Sequence, residues 1–80
     1  MAVRRVKFTF PEDQIREPLI YNLGHEFKVI TNVRMADVDE KTGWVLLELA
    51  GEAAEIERCL AWAQDKGVRV DPVSGDIVEG

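Results

Sequence analysis

The hydrophobic period of the chain changes between Phe27 and Val70, and this change constrains the fold more than any other feature. Residues 29–38 and 44–50 alternate with a period of two, whereas the apolar residues of 56–63 recur at i, i+3, i+4 and i+7. Strict alternation is typical of half-buried strands, and the second spacing indicates an amphipathic helix. Because alternation returns at the end of this stretch, the sequence predicts strand, strand, helix and strand in that order.

The N-terminal third of the chain predicts another strand and another helix. Val6, Phe8 and Phe10 alternate with polar residues, as expected of a strand with one buried face. A second apolar stripe begins at Leu19, directly after Pro18. Proline suits the first turn of a helix because it has no N–H to leave unpaired there. The complete order is therefore βαββαβ.

Each predicted helix carries a single apolar stripe, so both helices can cover the same face of one sheet. Right-handed crossovers then give an α+β fold of the ferredoxin-like class, with a four-stranded antiparallel sheet and one open face. We expect one domain at residues 1–72 and a C-terminal tail at 73–80. A chain of this length buries only about 60% of its unfolded surface, which makes association a common source of added stability.

Apolar and aromatic side chains are also predicted on the face that the helices leave open. We expect the helices to cover Phe8, Val33, Val45, Leu47 and Val70, and the open face to present Ile30, Asn32, Arg34, Ala36, Trp44 and Leu46. An exposed tryptophan invites association, so we predict a two-fold contact with a second copy or with another domain. The predicted interface residues are Ile30, Ala36, Trp44 and Leu46. Two other interpretations stay open: the tail folds back over the tryptophan, or a bulge in the long strand reverses the two faces.

Two polar residues on the open face predict a ligand site. Asn32 and Arg34 stand among apolar neighbours, and Trp44 offers an aromatic wall beside them. An amide and a guanidinium in such a setting can hold the carboxylate or amine of a small ligand. The alternative is that Asn32 pairs across the strand and that Arg34 meets Glu48 or water.

Composition argues against several other functions. The net charge of −5 disfavours a nucleic-acid-binding surface, since such surfaces concentrate Lys and Arg. A single cysteine excludes an internal disulfide and a metal cluster, and we predict no cofactor. No nucleophile–base pair is evident, so we predict no catalytic residue and no enzyme activity. No apolar run approaches the roughly 20 residues that span a bilayer, which favours a cytoplasmic protein without membrane insertion.

Several short segments follow an order and spacing that is similar to one known family. They are Pro18–Ile20 at the opening of the first helix, Asn32–Arg34, Gly43–Gly51 along the second strand of the hairpin, Ile56–Ala61 and Gly67–Val70. These segments resemble the NIL domain, a ferredoxin-like module best known from the C-terminal regulatory end of the ATPase subunit of methionine-importing ABC transporters. Asn32-Val33-Arg34 stands in place of the naming motif Asn-Ile-Leu.

The resemblance implies a module that pairs with its copy and binds methionine. The asparagine of the naming motif, implicated in that binding, falls on Asn32, whereas Arg34 replaces an apolar leucine and departs from the family pattern at the predicted ligand site. We therefore expect a non-catalytic regulatory module that binds a small molecule, an amino acid such as methionine, at the open face of a homodimer.

A second version of the family stands beside a two-cluster ferredoxin module in one polypeptide, and residues 72–78 resemble the segment that ends the domain there. This version implies a ferredoxin-type partner, whereas the first implies an ABC transporter. The chain is then either a free-standing relative or a fragment. The alternative function is a protein-interaction adaptor that docks onto an iron–sulfur or transporter protein without a ligand.

Overall fold

The computed structural model describes residues 1–11, 19–38 and 43–73. Its elements follow the predicted order. They are β1 at Ala2–Phe10, α1 at Leu19–Glu26, β2 at Val29–Val38, β3 at Gly43–Gly51, α2 at Ala53–Asp65 and β4 at Arg69–Pro72. The predicted helix opening at Pro18 and the tail from residue 74 onward lie outside the described residues.

The four strands form one antiparallel sheet in the order β2-β3-β1-β4. β1 lies inside the sheet and pairs with β3 and β4, so the first and last strands of the chain become neighbours. This topology, with two helices packed on one face, confirms the predicted ferredoxin-like α+β fold.

The hydrophobic core lies between the two helices and one side of the sheet. The register places Val6 opposite Leu47 and Phe8 opposite Val45, so that these side chains share the helix side. The core consists of Val6, Phe8, Phe10, Leu19, Leu23, Val29, Val45, Leu47, Leu49, Ile56, Cys59, Leu60, Ala63 and Val68. Among the described residues no polar or charged side chain is buried. The stripe predicted within residues 56–63 is therefore confirmed as the buried face of α2.

Both ends of α2 are held by local contacts. Glu55 in its first turn accepts a hydrogen bond at 3.1 Å from the backbone N–H of Lys28, which ties the start of β2 to the helix. At the other end Gly67 adopts a φ of 95°, and the N–H of Val68 donates to the carbonyl of Ala63. Glycine is favoured at such a helix end because a side chain is strained at positive φ. Within the described part of the chain, no helix has both the length and the apolar character to cross a bilayer.

Candidate functional site

A β-bulge in β2 determines which side chains reach the open face. Val33 lies opposite Leu47, but the next ladder pair joins Met35 to Leu46, so Arg34 is an extra residue on β2. Before the bulge the predicted alternation holds, because Ile30 is opposite Ala50 and Asn32 is opposite Glu48. After the bulge the two sides of the strand exchange, since an extra residue shifts a period of two by one position.

The predicted placement of Ala36 on the open face is wrong. Ala36 lies opposite Val45, whose side chain is buried on the helix side, and the open face receives Met35 instead. The cause is the additional residue at Arg34, which the unbroken alternation of the sequence does not reveal. Of the two alternatives for this face, a bulge that reverses the sides thus applies to the second half of β2.

The helices also leave part of β2 uncovered. Val33 lies opposite the buried Leu47 on the helix side, yet it is 56% exposed. The expectation that the helices cover this residue is therefore wrong. β2 is an edge strand of the described sheet, and edge positions lack a neighbouring strand on one side.

An ionic group lies at the centre of the open face. The Arg5 Nε donates to the Glu48 Oε2 at 3.1 Å, and the Arg34 Nη1 lies 4.0 Å from the Glu48 Oε1. The Glu48 side chain is only 20% exposed, whereas that of Arg34 is 58% exposed. Asn32 is exposed and lies opposite Glu48 in the ladder. Arg34 thus lies within ion-pair distance of Glu48, as one part of the alternative interpretation states, although the separation is too long for a hydrogen bond.

Trp44 lies apart from this ionic group. Glu48 lies four positions after it along β3, which corresponds to about 13 Å of strand. The Trp44 ring is half-buried, and the Lys7 Nζ lies 5.2 Å from the ring centroid, within cation–π range. Its neighbours across the ladders are Thr9 and Asp37. Of the three predicted ligand residues, the structure therefore places Asn32 and Arg34 beside Glu48 and leaves the tryptophan at a distance.

Exposed apolar side chains surround the ionic group. Ile30 is 58% exposed and Met35 is 55% exposed, and the half-buried Leu46 is the ladder partner of Met35. The described part of the chain therefore covers these residues much less than it covers the core residues. The open face thus combines apolar surface with a cluster of two guanidinium groups and one carboxylate.

Sequence reasoning missed Arg5, Lys7 and Met35 as residues of this face and gave Glu48 only as an alternative partner of Arg34. The signal for Met35 was the charge at Asp37. With unbroken alternation Asp37 falls on the same side as the buried Val29, where an unpaired carboxylate is costly. The bulge places Asp37 opposite Trp44 on the open face instead. The basic residues of β1 were detectable because they alternate with Val6 and Phe8.

Cys59 on the helix side has no access to this face. Its thiol is buried, and burial, followed by the negative charges of Glu55 and Glu57, raises its pKa from 9.0 to about 11. A thiol with such a pKa stays protonated near neutral pH and is a poor nucleophile. Cys59 therefore acts as a small apolar core residue.

The fold and its single open face define a ferredoxin-like α+β module. Residues 4–72 match the NIL domain family, and the chain belongs to that family. The family predicted from the sequence is thereby confirmed.

Two similar proteins come from Enterococcus faecalis. The chain is 29% identical over 70 residues to methionine import ATP-binding protein MetN 1, an alignment that covers 82% of this chain and 20% of that protein. The chain thus spans about a fifth of the length of this relative. The crystal structure of a C-terminal domain of an ABC transporter ATP-binding protein superposes with a TM-score of 0.78, covering 91% of this chain and 86% of the other at 17% identity. This second likeness concerns the fold.

Proposed function

We propose that the chain is a non-catalytic regulatory module that binds a small molecule, such as an amino acid, at the open face of a homodimer. Membership of the NIL domain family and similarity to a segment of a methionine import ATP-binding protein support this proposal. The observation that carries it is the exposure of Ile30 and Met35 beside the ionic group around Glu48.

The exposed apolar side chains supply the driving force for pairing. Removing apolar surface from water is worth about 25 cal/mol per Å², and a small domain has little stability from its own core. Ile30, Trp44 and Leu46 are the proposed contact residues, together with Met35. A two-fold contact brings the same patch of both copies together. Each apolar residue therefore contributes to the buried surface twice, once from each copy.

The polar residues supply specificity. Asn32 offers an amide, and the guanidinium of Arg34 is exposed enough to meet a ligand that lies over the sheet. Such groups fix the orientation of a ligand whose remaining surface is apolar. Trp44, near the start of β3, suits either the apolar end of the ligand or the contact between the two copies.

The proposed setting is cytoplasmic. The module acts there on an ABC transporter, as its relation to an ATP-binding protein suggests, or on a ferredoxin-type protein. In this proposal residues 1–72 form the module and residues 73–80 a tail. In this proposal, binding of the small molecule changes how the two copies are arranged in the dimer, and this change alters the activity of the partner.

Calorimetric titration of the purified chain with amino acids, methionine first, tests ligand binding. Light scattering tests pairing: Trp44→Asp places a charge in the contact and should convert a dimer to a monomer. Tyr21→Asp is the matched control, because Tyr21 is 66% exposed on α1, away from the open face. A monomeric wild type contradicts the proposed dimer, and a Trp44→Asp variant that pairs as well as a dimeric wild type shows that the contact lies elsewhere. Absence of heat with every amino acid removes this ligand class.

The second candidate function is an adaptor that docks onto a partner protein without a ligand. The exposure of Ile30 and Met35 favours it, because an apolar protein surface covers such side chains as well as a second copy does. A wild-type monomer with no response to amino acids, but with Trp44-dependent binding to a purified transporter ATPase or ferredoxin-type protein, is the result expected of an adaptor.

A further inference from the structure

We propose that two copies of the chain contact each other through their open faces, with a two-fold axis that runs parallel to the strands between β1 and β3. In this arrangement Arg5 of each copy contacts Glu48 of the other. The inference rests on the proposed function, because it specifies how the proposed homodimer is built. Complementary charges on the open face carry it, first at the two inner strands and then at the two outer strands.

The two inner strands present charges of opposite sign on the open side. β1 contributes Arg5 and Lys7 there, whereas β3 contributes Glu48. An axis between these two strands, along the strand direction, places β3 of one copy over β1 of the other and keeps each residue at the same height along the strands. Because Arg5 and Glu48 are ladder partners, the rotation places Arg5 of each copy over Glu48 of the other.

The central charges of the proposed dimer alternate in sign. Within one chain the Arg5 Nε donates to the Glu48 Oε2 at 3.1 Å. The two-fold axis brings the same pair of the second copy against it, so that each of the four charges has an opposite charge beside it in its own chain and another across the contact. Complementary charges of this kind fix the relative orientation of two protein surfaces and disfavour other orientations.

A two-fold axis perpendicular to the strands has the opposite consequence. It places β1 of one copy over β1 of the other, and the charged side chains that β1 carries on the open side, Arg5 and Lys7, are both cations. An axis that crosses the middle of the strand between these two residues brings Arg5 of each copy to Lys7 of the other. Like charges that face each other across a contact disfavour it, so the axis parallel to the strands is the better one for this face.

The outer strands supply a second pair of opposite charges. The ladder partners form one row across the open face, which consists of Asp37 on β2, Trp44 on β3, Thr9 on β1 and Arg69 on β4. Rotation about the proposed axis exchanges the positions of β2 and β4, so Asp37 of each copy faces Arg69 of the other. Two packed sheets deviate from alignment by about 30°, and a long arginine side chain spans the resulting offset at the edge of the sheet.

The outer pair also separates contacts between copies from contacts within a chain. Asp37 and Arg69 lie on opposite edge strands of the described sheet, about 14 Å apart at a strand spacing of about 4.8 Å. Within its own chain the Arg69 side chain is 76% exposed and pairs with Asp71 at 3.0 Å. A strong dependence of one outer residue on the charge of the other therefore indicates a contact between two copies.

Apolar side chains lie at both ends of the same contact. Val3 on β1 is 60% exposed, and its ladder partner on β3 is Ala50. The rotation places Val3 of each copy over Ala50 of the other, which removes apolar surface from water at a position where neither residue is charged. At the opposite end Trp44 lies over β1 of the second copy. Asn32 and Arg34 lie on the outer strand β2, so the proposed ligand residues are at the border of the contact.

Charge reversals at the outer pair test the arrangement without changing its centre. Asp37→Arg and Arg69→Asp should each raise the dissociation constant of the homodimer about tenfold or more, because each places like charges together twice in the dimer. An equimolar mixture of the two variants should pair as tightly as wild type, since each new charge then faces an opposite charge. Sedimentation equilibrium measures the constants. Single variants that pair like wild type, or a mixture without recovery, overturn the inference.

Matched reversals on the helix side control for net charge. Asp65→Arg and Arg58→Asp change the charge of the chain by the same amounts, but both residues lie on α2. Arg58 is a close match to Arg69, because it pairs locally with Glu55 as Arg69 pairs with Asp71. Both control variants should leave the dissociation constant unchanged. A loss as large as that of the outer-pair variants would mean that net charge, rather than a contact, weakens the dimer.

The double variant Arg5→Glu/Glu48→Arg tests the centre of the contact. It keeps opposite charges together within each chain, so it should fold and pair with itself like wild type. In a mixture with wild type, native mass spectrometry should find heterodimers at about a tenth of the random level or less, because like charges meet across the contact. Random pairing or an excess of heterodimers overturns the inference and leaves the proposed homodimer standing. A monomeric wild type overturns both.

Discussion

The two sides of one sheet differ sharply although they share the same strands. On the helix side Val6 and Leu47 are almost completely buried, whereas their sequence neighbours Lys7 and Leu46 on the open side keep part of their surface in water. The backbone hydrogen bonds are common to both sides, so the difference comes from what covers each side. The comparison teaches that the core depends on one side and that the described part of the chain leaves the other side partly exposed.

The largest expected effect comes from adjacent leucines on β3. Leu47→Ala leaves a cavity under the helices and should lower the free energy of unfolding by about 2–5 kcal/mol. Leu46→Ala on the open side should cost about 1 kcal/mol or less in the monomer. Urea unfolding at low protein concentration measures both. Equal losses would mean that the open side is covered and that the contrast between the two sides is wrong.

Two glycines sharpen the contrast between crowded and open positions. An alanine Cβ at Gly51 would lie 2.8 Å from the backbone carbonyl oxygen of Lys28, whereas one at Gly24 on α1 would meet nothing within 4 Å. Gly51→Ala should therefore destabilise by about 1–3 kcal/mol. Gly24→Ala should stabilise by about 0.5–1 kcal/mol, because alanine is the better helix former.

Thermal and urea unfolding of the two alanine variants side by side give the measurement. A gain in stability for Gly51→Ala would show that the backbone between α1 and β2 shifts easily to make room for the added methyl group. A loss for Gly24→Ala would show that the outer surface of α1 is covered in the folded protein.

The last expected effect is a pH dependence that arises from Cys59 on the helix side and is absent near neutral pH. The pKa of the Cys59 thiol is about 11 in the folded chain, against 9.0 for an ordinary thiol. As the pH rises, the unfolded chain releases this proton first. The stabilising contribution of the protonated thiol is therefore fully present below about pH 9 and is lost as the pH rises through about 11.

Comparison of wild type with Cys59→Ala measures this contribution, because the two proteins share every other titratable group. The free energy of unfolding of wild type should fall more steeply between pH 9 and pH 11. Parallel curves would show that the thiol titrates alike in the folded and unfolded chains, and hence that it is not shielded as deeply as the structure indicates.

The helix side was predictable from the sequence because one physical effect, the burial of apolar side chains, determines which residues lie there. Ile56, Cys59, Leu60 and Ala63 recur at helical spacing, and all four are buried as expected. The order of strands and helices followed from the same kind of periodicity. Burial under the helices excludes polar residues, so the pattern on this side is simple and its prediction is reliable.

The open side was only partly predictable, because it carries polar and apolar residues together. Asn32 and Arg34 were identified as polar residues of this face, but the bulge at Arg34 moved Met35 onto the face and Ala36 off it. Both sides of β2 carry apolar residues, so a shift by one residue leaves the hydrophobic pattern almost unchanged. The partnership of Arg5 with Glu48 depends on the register of distant strands, which alternation does not specify.

The bulge also has a consequence for the free edge of β2 in the described sheet. Along Val29–Val33 the backbone keeps a regular strand geometry, but the extra residue at Arg34 interrupts the spacing of N–H and C=O groups. A strand from another molecule that added to this edge would find matching groups only up to Val33 and would have to realign beyond it. The inserted residue therefore limits the length over which a second strand can pair with this edge without a break in its hydrogen bonds.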